Sequence, residues 1–351
     1  LPRPVALWLR RCTSPLIAAL TLPVLLHAQT IAITGGRVHP VSGPVIENGT
    51  VLIRNGRIAA VGATVAIPAD ATRIDATCKW VTPGIVNAVT SLGVVEIGQV
   101  QETVDQSARG RNDGITASHR VWEGFNPASP LIQVTRNDGI TTVGVAPGGG
   151  LVAGQAGVVD LADGSLSDML LRAPVAMVAD LGSKSQEIGT SRSEVLQRLR
   201  ELLSDTREYG RRRADYDRNQ SREMAARRSD LEAMIPVVQG RMLLIIEANR
   251  ASDIEAALGL AREFNLRIVV NGAAEAWMVA SKLTAANTPV ITGSLNNLPL
   301  SFAMLGARHE NAAILQRAGV RVIINGGADA FNARNVRFEA GVAVAFGLPW
   351  A

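Results

Sequence analysis

Two carboxylates stand where this chain has the means for chemistry. Glu247 directly follows the apolar run Met242-Leu-Leu-Ile-Ile246, and Asp329 comes shortly after Val320-Arg-Val-Ile-Ile324. A carboxylate closing an apolar strand must find a partner or change its proton affinity, because burial penalises its charged form. Arg250 is near enough in sequence to be that partner, which would make the pair structural. Asp329 has two readings as well: a functional group following a strand, or the cap of a helix that begins near Asn332. Glu275 opens the next helix and is most simply a favourable charge at its positive end. The loop Gly148-Gly-Gly-Leu-Val-Ala-Gly154 lacks the Lys-Ser/Thr ending of a phosphate loop, so its glycines suit a rim against substrate or a turn.

Histidine placement bounds the chemistry further. Of the four histidines, His27 lies in the leader described next, His39 in an all-β segment, His119 in a polar loop and His309 before a helix. None ends an apolar strand, so strand ends cannot supply a histidine-rich zinc centre. His119 and His309 read as loop or exposed residues.

The elements that must position these groups begin after a leader. Arg3, Arg10 and Arg11 precede the apolar run Pro15-Leu-Ile-Ala-Ala-Leu-Thr-Leu-Pro-Val-Leu-Leu26, and Ala28 offers a small residue for cleavage. That pattern is a signal peptide over 1–28, and it predicts a secreted or periplasmic protein with no membrane anchor after cleavage. Cys78 then remains without an internal disulfide partner. The leader removes three arginines and no acid, lowering the formal charge from +4 to +1, so the basic composition does not argue for nucleic acid. With 47% hydrophobic and 19% charged residues, the chain is globular and long enough for one large α/β domain with a small one appended.

From 29 to 79, β-branched residues alternate with polar ones around Asn-Gly pairs, predicting short strands and tight hairpins in a small, partial β-sandwich module. From 80 to 351, short apolar strands alternate with amphipathic helices. That order builds a parallel sheet covered by helices, either a (β/α)₈ barrel or a doubly wound sheet. Between 192 and 234, arginines from Arg207 to Arg228 mix with Glu208, Asp215, Asp217 and Glu223. We read this segment as a solvated helical insertion rather than a nucleic-acid patch.

Asn55-Gly-Arg-Ile-Ala-Ala-Val-Gly62 followed by Trp80-Val-Thr-Pro-Gly-Ile-Val86 resembles the entry of the amidohydrolase superfamily, in its secreted imidazolonepropionase-like and dipeptidase-like branch. The likeness continues through Phe125-Asn-Pro-Ala-Ser-Pro-Leu131, Gly148 to Gln155, Ala248-Asn-Arg-Ala-Ser-Asp253 and Asp329-Ala-Phe-Asn-Ala-Arg-Asn335. The resemblance implies an α/β fold with a (β/α)₈ TIM-like barrel, its site at the C-terminal strand ends. It also implies divalent metal that activates water for attack on a small amide or dipeptide. The family's first-strand histidine pair falls on Asn87 and Val89; its fifth- and sixth-strand ligands fall on Glu247 and Asn271; its eighth-strand aspartate falls on Asp329. Lys184 is the nearest candidate for a fourth-strand lysine. We therefore expect Asp329 to be catalytic, Glu247, Asn271 and Asn87 to offer oxygens to a metal, and Asn249, Arg250, Gly149 and Gln155 to touch substrate. An oxygen-rich set of this kind favours magnesium, calcium or manganese over zinc. The alternative function is an inactive pseudoenzyme that binds or scaffolds. The stop at Gly347-Leu-Pro-Trp-Ala351, where the resemblance implies a last helix and a return into the β module, leads us to expect a chain truncated at its C-terminus.

Overall fold

The computed structural model describes residues 30–108, 114–182, 191–295 and 297–350. The leader and Lys184 lie outside the described residues. Two compact units divide at Pro83 and Gly84.

The first unit is one five-stranded sheet of β1 (Thr30–Val38), β2 (Ile46–Arg54), β3 (Arg57–Gly62), β4 (Thr72–Asp75) and β5 (Trp80–Val81). Its order is β3-β2-β1-β4, with β5 also on β1. The turn from β2 to β3 is Asn55-Gly56, with φ of 54° and 70°. Positive φ at both central residues matches the twist of a two-residue hairpin, and this is why Asn-Gly announced it. Trp80 and Val81, which periodicity assigned to the barrel, pair instead with Arg37 and Val38 of β1.

The second unit is a nearly closed barrel of eight strands: β6 (Ile85–Thr90), β7 (Ile140–Val145), β8 (Val152–Asp160), β9 (Leu170–Asp180), β10 (Leu243–Ala248), β11 (Ile268–Gly272), β12 (Val290–Thr292) and β13 (Val322–Ile324), hydrogen-bonded in chain order. Seven strands run one way. The exception is β8, antiparallel to both β7 and β9. The expected βα alternation fails here because the Gly148-Gly-Gly150 turn sends the chain straight back, leaving no room for a crossover helix. Gly149 and Gly150 have φ of 85° and 75°. A Cβ at Gly150 would lie 2.7 Å from the Gly114 carbonyl oxygen.

Around the barrel stand α1 (Pro130–Asn137), α2 (Leu166–Met169), α3 (Arg192–Arg211), α4 (Arg213–Asp217), α5 (Arg228–Val238), α6 (Ala251–Glu263), α7 (Ala280–Ala285), α8 (Asn311–Arg317) and α9 (Val336–Ala345). The arginine-rich segment is helical, as expected, but one face of it is buried rather than solvated. Val195, Leu199, Leu202, Leu203 and Tyr209 of α3 and Leu231, Met234 and Val237 of α5 are fully or almost fully buried. They join the main core with Leu244, Ile246 and Val270 of the sheet. Their helical spacing makes one apolar stripe, and the surrounding charge neutralises itself in pairs such as Arg212–Asp215 and Arg213–Glu232. Among the described residues no helix is long and apolar enough to cross a membrane.

Inside the barrel, small and branched side chains fill the bore. Val89, Ala146, Ala156, Ala176, Val269 and Ile291 are buried together, with Val178, Ile245 and Ile323 packed against them. This layer is the floor on which the C-terminal mouth is built.

Candidate functional site

The mouth is best located through strand register. Asp180 of β9 is the Cα partner of Glu247 on β10, Glu247 of Asn271 on β11, Asn271 of Ile291 on β12, and Ile291 of Ile323 on β13. Residues in register share a face, and strands lie about 4.8 Å apart. Because Ile291 belongs to the bore, the whole row points inward. Its first three members are polar and its last two apolar. Asp180 and Glu247 are half-buried, and Asn271 is buried. The Asn271 amide donates to Glu247 Oε2 at 3.4 Å, and Asp180 Oδ1 accepts the Gly182 N–H. Two carboxylates and an amide thus stand side by side on three neighbouring strands, facing one apolar floor.

Asp180 is the residue that sequence reasoning missed. Its signal was present: Val175-Ala-Met-Val-Ala-Asp180 is an apolar strand ending in an acid, as Ile245-Ile-Glu247 is. Lys184, the candidate for a fourth-strand lysine, stands four residues further along.

The other expected site residues are placed differently. Asp329 is exposed, and its two oxygens accept the backbone and side-chain N–H groups of Asn332, both at 2.8 Å. Both oxygens therefore bond within the turn that enters the 3₁₀ segment Asn332–Asn335. Asn87 is fully buried and donates to the Ala333 carbonyl at 2.9 Å. Ala333 packs with Ile132 of α1 and Val336 of α9, in the layer outside the sheet. That amide nitrogen is committed there, while Oδ1 is buried without a partner among the described residues. Val89 sits in the bore itself.

The expected substrate contacts are mostly framework. Asn249 Oδ1 accepts from Ala274 N at 3.4 Å and its carbonyl from Glu275 N at 2.9 Å. Exposed Arg250 occupies the N-cap of α6 without a side-chain cap bond. Gln155 is buried and donates to the Ala117 carbonyl at 3.1 Å, so it fastens the preceding segment. Gly149 belongs to the β7–β8 turn.

Several buried polar groups hold the mouth loops in place. Glu275 does not act at its own helix: Oε2 accepts from Ala251 N at 2.9 Å and Oε1 from Gly306 N at 2.8 Å, tying the start of α6 to the loop after β12. Glu339 of α9, also buried, accepts from Ser294 and Leu295 N–H in that same loop. Asn311 joins Trp277 N and the Ala273 carbonyl.

Among the described residues the donors do not assemble the histidine-rich metal centre of the resemblance, nor the full oxygen set expected in its place. His119 contacts the Ala153 carbonyl and His309 the Ser294 carbonyl, the latter ring stacked on Phe346. Of the three expected oxygen donors, Glu247 and Asn271 meet among the described residues, and Asn271 turns an N–H toward the carboxylate. Among the described residues no three His, Cys, Asp or Glu side chains gather to hold an ion. A cavity of about 1050 Å³ opens at the opposite end of the barrel, lined by strand-start residues such as Leu243, Ile268, Pro289 and Arg321. Volume alone would favour that end, but the inward carboxylates stand at the other.

No protein-family model matches the chain. An 83-residue stretch is 42% identical to a dihydroorotase of Anaeromyxobacter dehalogenans (strain 2CP-C), covering 23% of this chain and 19% of that relative. Among solved structures, an amidohydrolase from Thermotoga maritima MSB8 superimposes with a TM-score of 0.82 at 22% identity, over 91% of this chain and 84% of that one. Another crystallised amidohydrolase gives 0.50 at 14% identity, over 90% and 83%. These likenesses establish the barrel architecture together with its small β unit.

Proposed function

We propose that this chain, which has the amidohydrolase fold, hydrolyses carbon–nitrogen bonds of small amides, using the paired carboxylates Asp180 and Glu247 at the barrel mouth. The observation that carries this is the register row, which sets two acids and Asn271 on adjacent strands facing inward. The names of the similar proteins, a dihydroorotase and two amidohydrolases, support the bond class. Export is part of the proposal and rests on the leader pattern alone.

Amide hydrolysis needs one group to take a proton from water and another to give one to the leaving nitrogen. Carboxyl groups on neighbouring strands suit this division, since one can accept a proton while the other delivers one. In the proposed step Glu247 accepts a proton as water oxygen bonds to the carbonyl carbon. Asp180 then protonates the nitrogen as the carbon–nitrogen bond breaks, and proton exchange with solvent restores the pair. Asn271 orients Glu247 through its N–H and is a positioning residue.

The test is a panel of N-acyl amino acids, dipeptides and cyclic amides, assayed with and without a chelator. Turnover should fall about 100-fold or more in both Glu247→Gln and Asp180→Asn, the range for losing a positioned acid or base, while thermal stability stays near wild type. Turnover that survives Glu247→Gln, or that depends strictly on added metal, would refute the mechanism. A second reading, a barrel that binds such amides without cleaving them, is favoured by the engagement of Asn87 and Asp329 in framework bonds. Saturable binding of a panel member, with no turnover under any condition, selects it.

A further inference from the structure

Eight strands in one sheet leave two edges, and among the described residues no ladder joins β13 to β6. Peptide groups at such a seam need partners, because burying them unpaired is costly. The side chain of Asn325, the first residue beyond β13, meets this need from both sides. Val89 N donates to its Oδ1 at 3.1 Å, and its Nδ2 donates to the Val89 carbonyl at 2.9 Å. A primary amide carries a donor and an acceptor side by side, as a peptide does, so one asparagine reproduces the bond pair of a neighbouring strand. Asn325 is only 5% exposed. Three further bonds prolong the line: Asn87 Nδ2 to the Ala333 carbonyl at 2.9 Å, Thr90 Oγ1 to the Asp329 carbonyl at 3.3 Å, and Ser91 N to the Ala328 carbonyl at 2.8 Å.

We propose that this barrel is shut by a side-chain clasp centred on Asn325, and that the Asn325 and Thr90 side chains are committed to closure rather than to holding a metal ion. Every residue of β6 from Asn87 to Thr90, apart from Ala88, takes part through its side chain or its backbone. The clasp is specific in chemistry. Aspartate at 325 would keep the acceptor for Val89 N but set a carboxylate against the Val89 carbonyl, and leucine would satisfy neither. The proposal depends on the seam geometry and not on the hydrolase reading, so either can fail alone.

Hydrogen exchange on the full chain tests it, comparing wild type, Asn325→Ala and Asn311→Ala, the last removing another buried asparagine that bonds backbone on both sides. Asn325→Ala should speed exchange across 85–95 about tenfold or more, the scale of losing one or two net hydrogen bonds. Asn311→Ala should leave that stretch at the wild-type rate. Equal effects of the two variants on 85–95 overturn the proposal. Should Asn325→Ala fail to fold, Asn325→Asp provides the same comparison. Wild-type protein gives an independent arm: millimolar zinc, manganese or magnesium followed by EDTA should alter neither melting temperature nor exchange at 85–95. Metal-dependent protection of that stretch, reversed by EDTA, overturns the commitment to closure.

Discussion

Replacing Glu275 by alanine should destabilise the barrel unit by about 3 kcal/mol, judged from two hydrogen bonds to a charged acceptor at about 1.5–3 kcal/mol each, less what water recovers. The partners justify both halves of that figure. Glu275 is buried, whereas Ala251 and Gly306, whose N–H groups it accepts, are half-buried, so solvent can reclaim part of the loss. The Ala251 bond matters more. Helix α6 begins without a side-chain cap of its own, and a carboxylate from the next loop meets its unpaired N–H groups and positive dipole end. For a unit of this size the same loss corresponds to a melting-point drop of about 6–12 °C. Glu275→Gln retains one oxygen acceptor but turns an N–H toward the second donor, and should cost about half as much. Urea unfolding of the three proteins, with the slope checked for constancy, gives the values directly. An alanine variant within about 0.5 kcal/mol of wild type, or a glutamine variant as damaged as alanine, would show that Glu275 does not bridge the two loops.

Glu232 predicts a pH effect in the arginine-rich helices. Hydrogen bonds from Tyr209 and Arg228, aided by the nearby charge of Arg213, hold its carboxyl below the usual range. Its folded value being depressed, the stabilisation is complete above the unfolded value and disappears as pH falls through the folded one. The site is about a third exposed, so solvent screening limits Glu232→Gln to under about 1 kcal/mol at neutral pH. Denaturation at neutral pH and at successively more acid pH checks that the difference from wild type narrows as the carboxyl takes up its proton. At the β7–β8 turn, Gly150→Ala should cost about 1–3 kcal/mol, because its positive φ and the 2.7 Å approach to the Gly114 carbonyl both oppose a side chain. A melting temperature equal to wild type would contradict that.

Much of the architecture was legible because its causes are local. Asn55-Gly56 demands positive φ at two residues, and the runs at 242–246, 267–270 and 320–324 are too short and too branched to be anything but buried strands. The antiparallel β8 was not legible, since an apolar run carries no arrow. Only the shortness of the Gly148–Gly150 connection hinted at reversal. In α3 the density of charge hid the stripe from Val195 to Tyr209, which periodicity alone would have exposed. Glu247 and Asn271 were found by counting from apolar runs, and Asp180 answers to the same rule. Asp329 and Asn87 went astray for another reason. What a polar side chain bonds is settled by long-range neighbours: Ala333 lies 246 residues from Asn87, and nothing in the spacing of either segment announces the contact.

The two sides of the mouth therefore answer to different constraints. On strands β9 to β11 the row is polar, and its groups face the bore with an apolar floor beneath, an environment that strengthens any charge interaction because water is partly excluded. On β12 and β13 the same row is Ile291 and Ile323, and polarity reappears one step higher, at Asn325, turned sideways into the seam rather than across the opening. The mouth thus presents polar groups on one wall and hydrocarbon on the other. Closure by Asn325 supports that asymmetry at a distance, since it fixes β13 against β6 without placing a charge near the carboxylates.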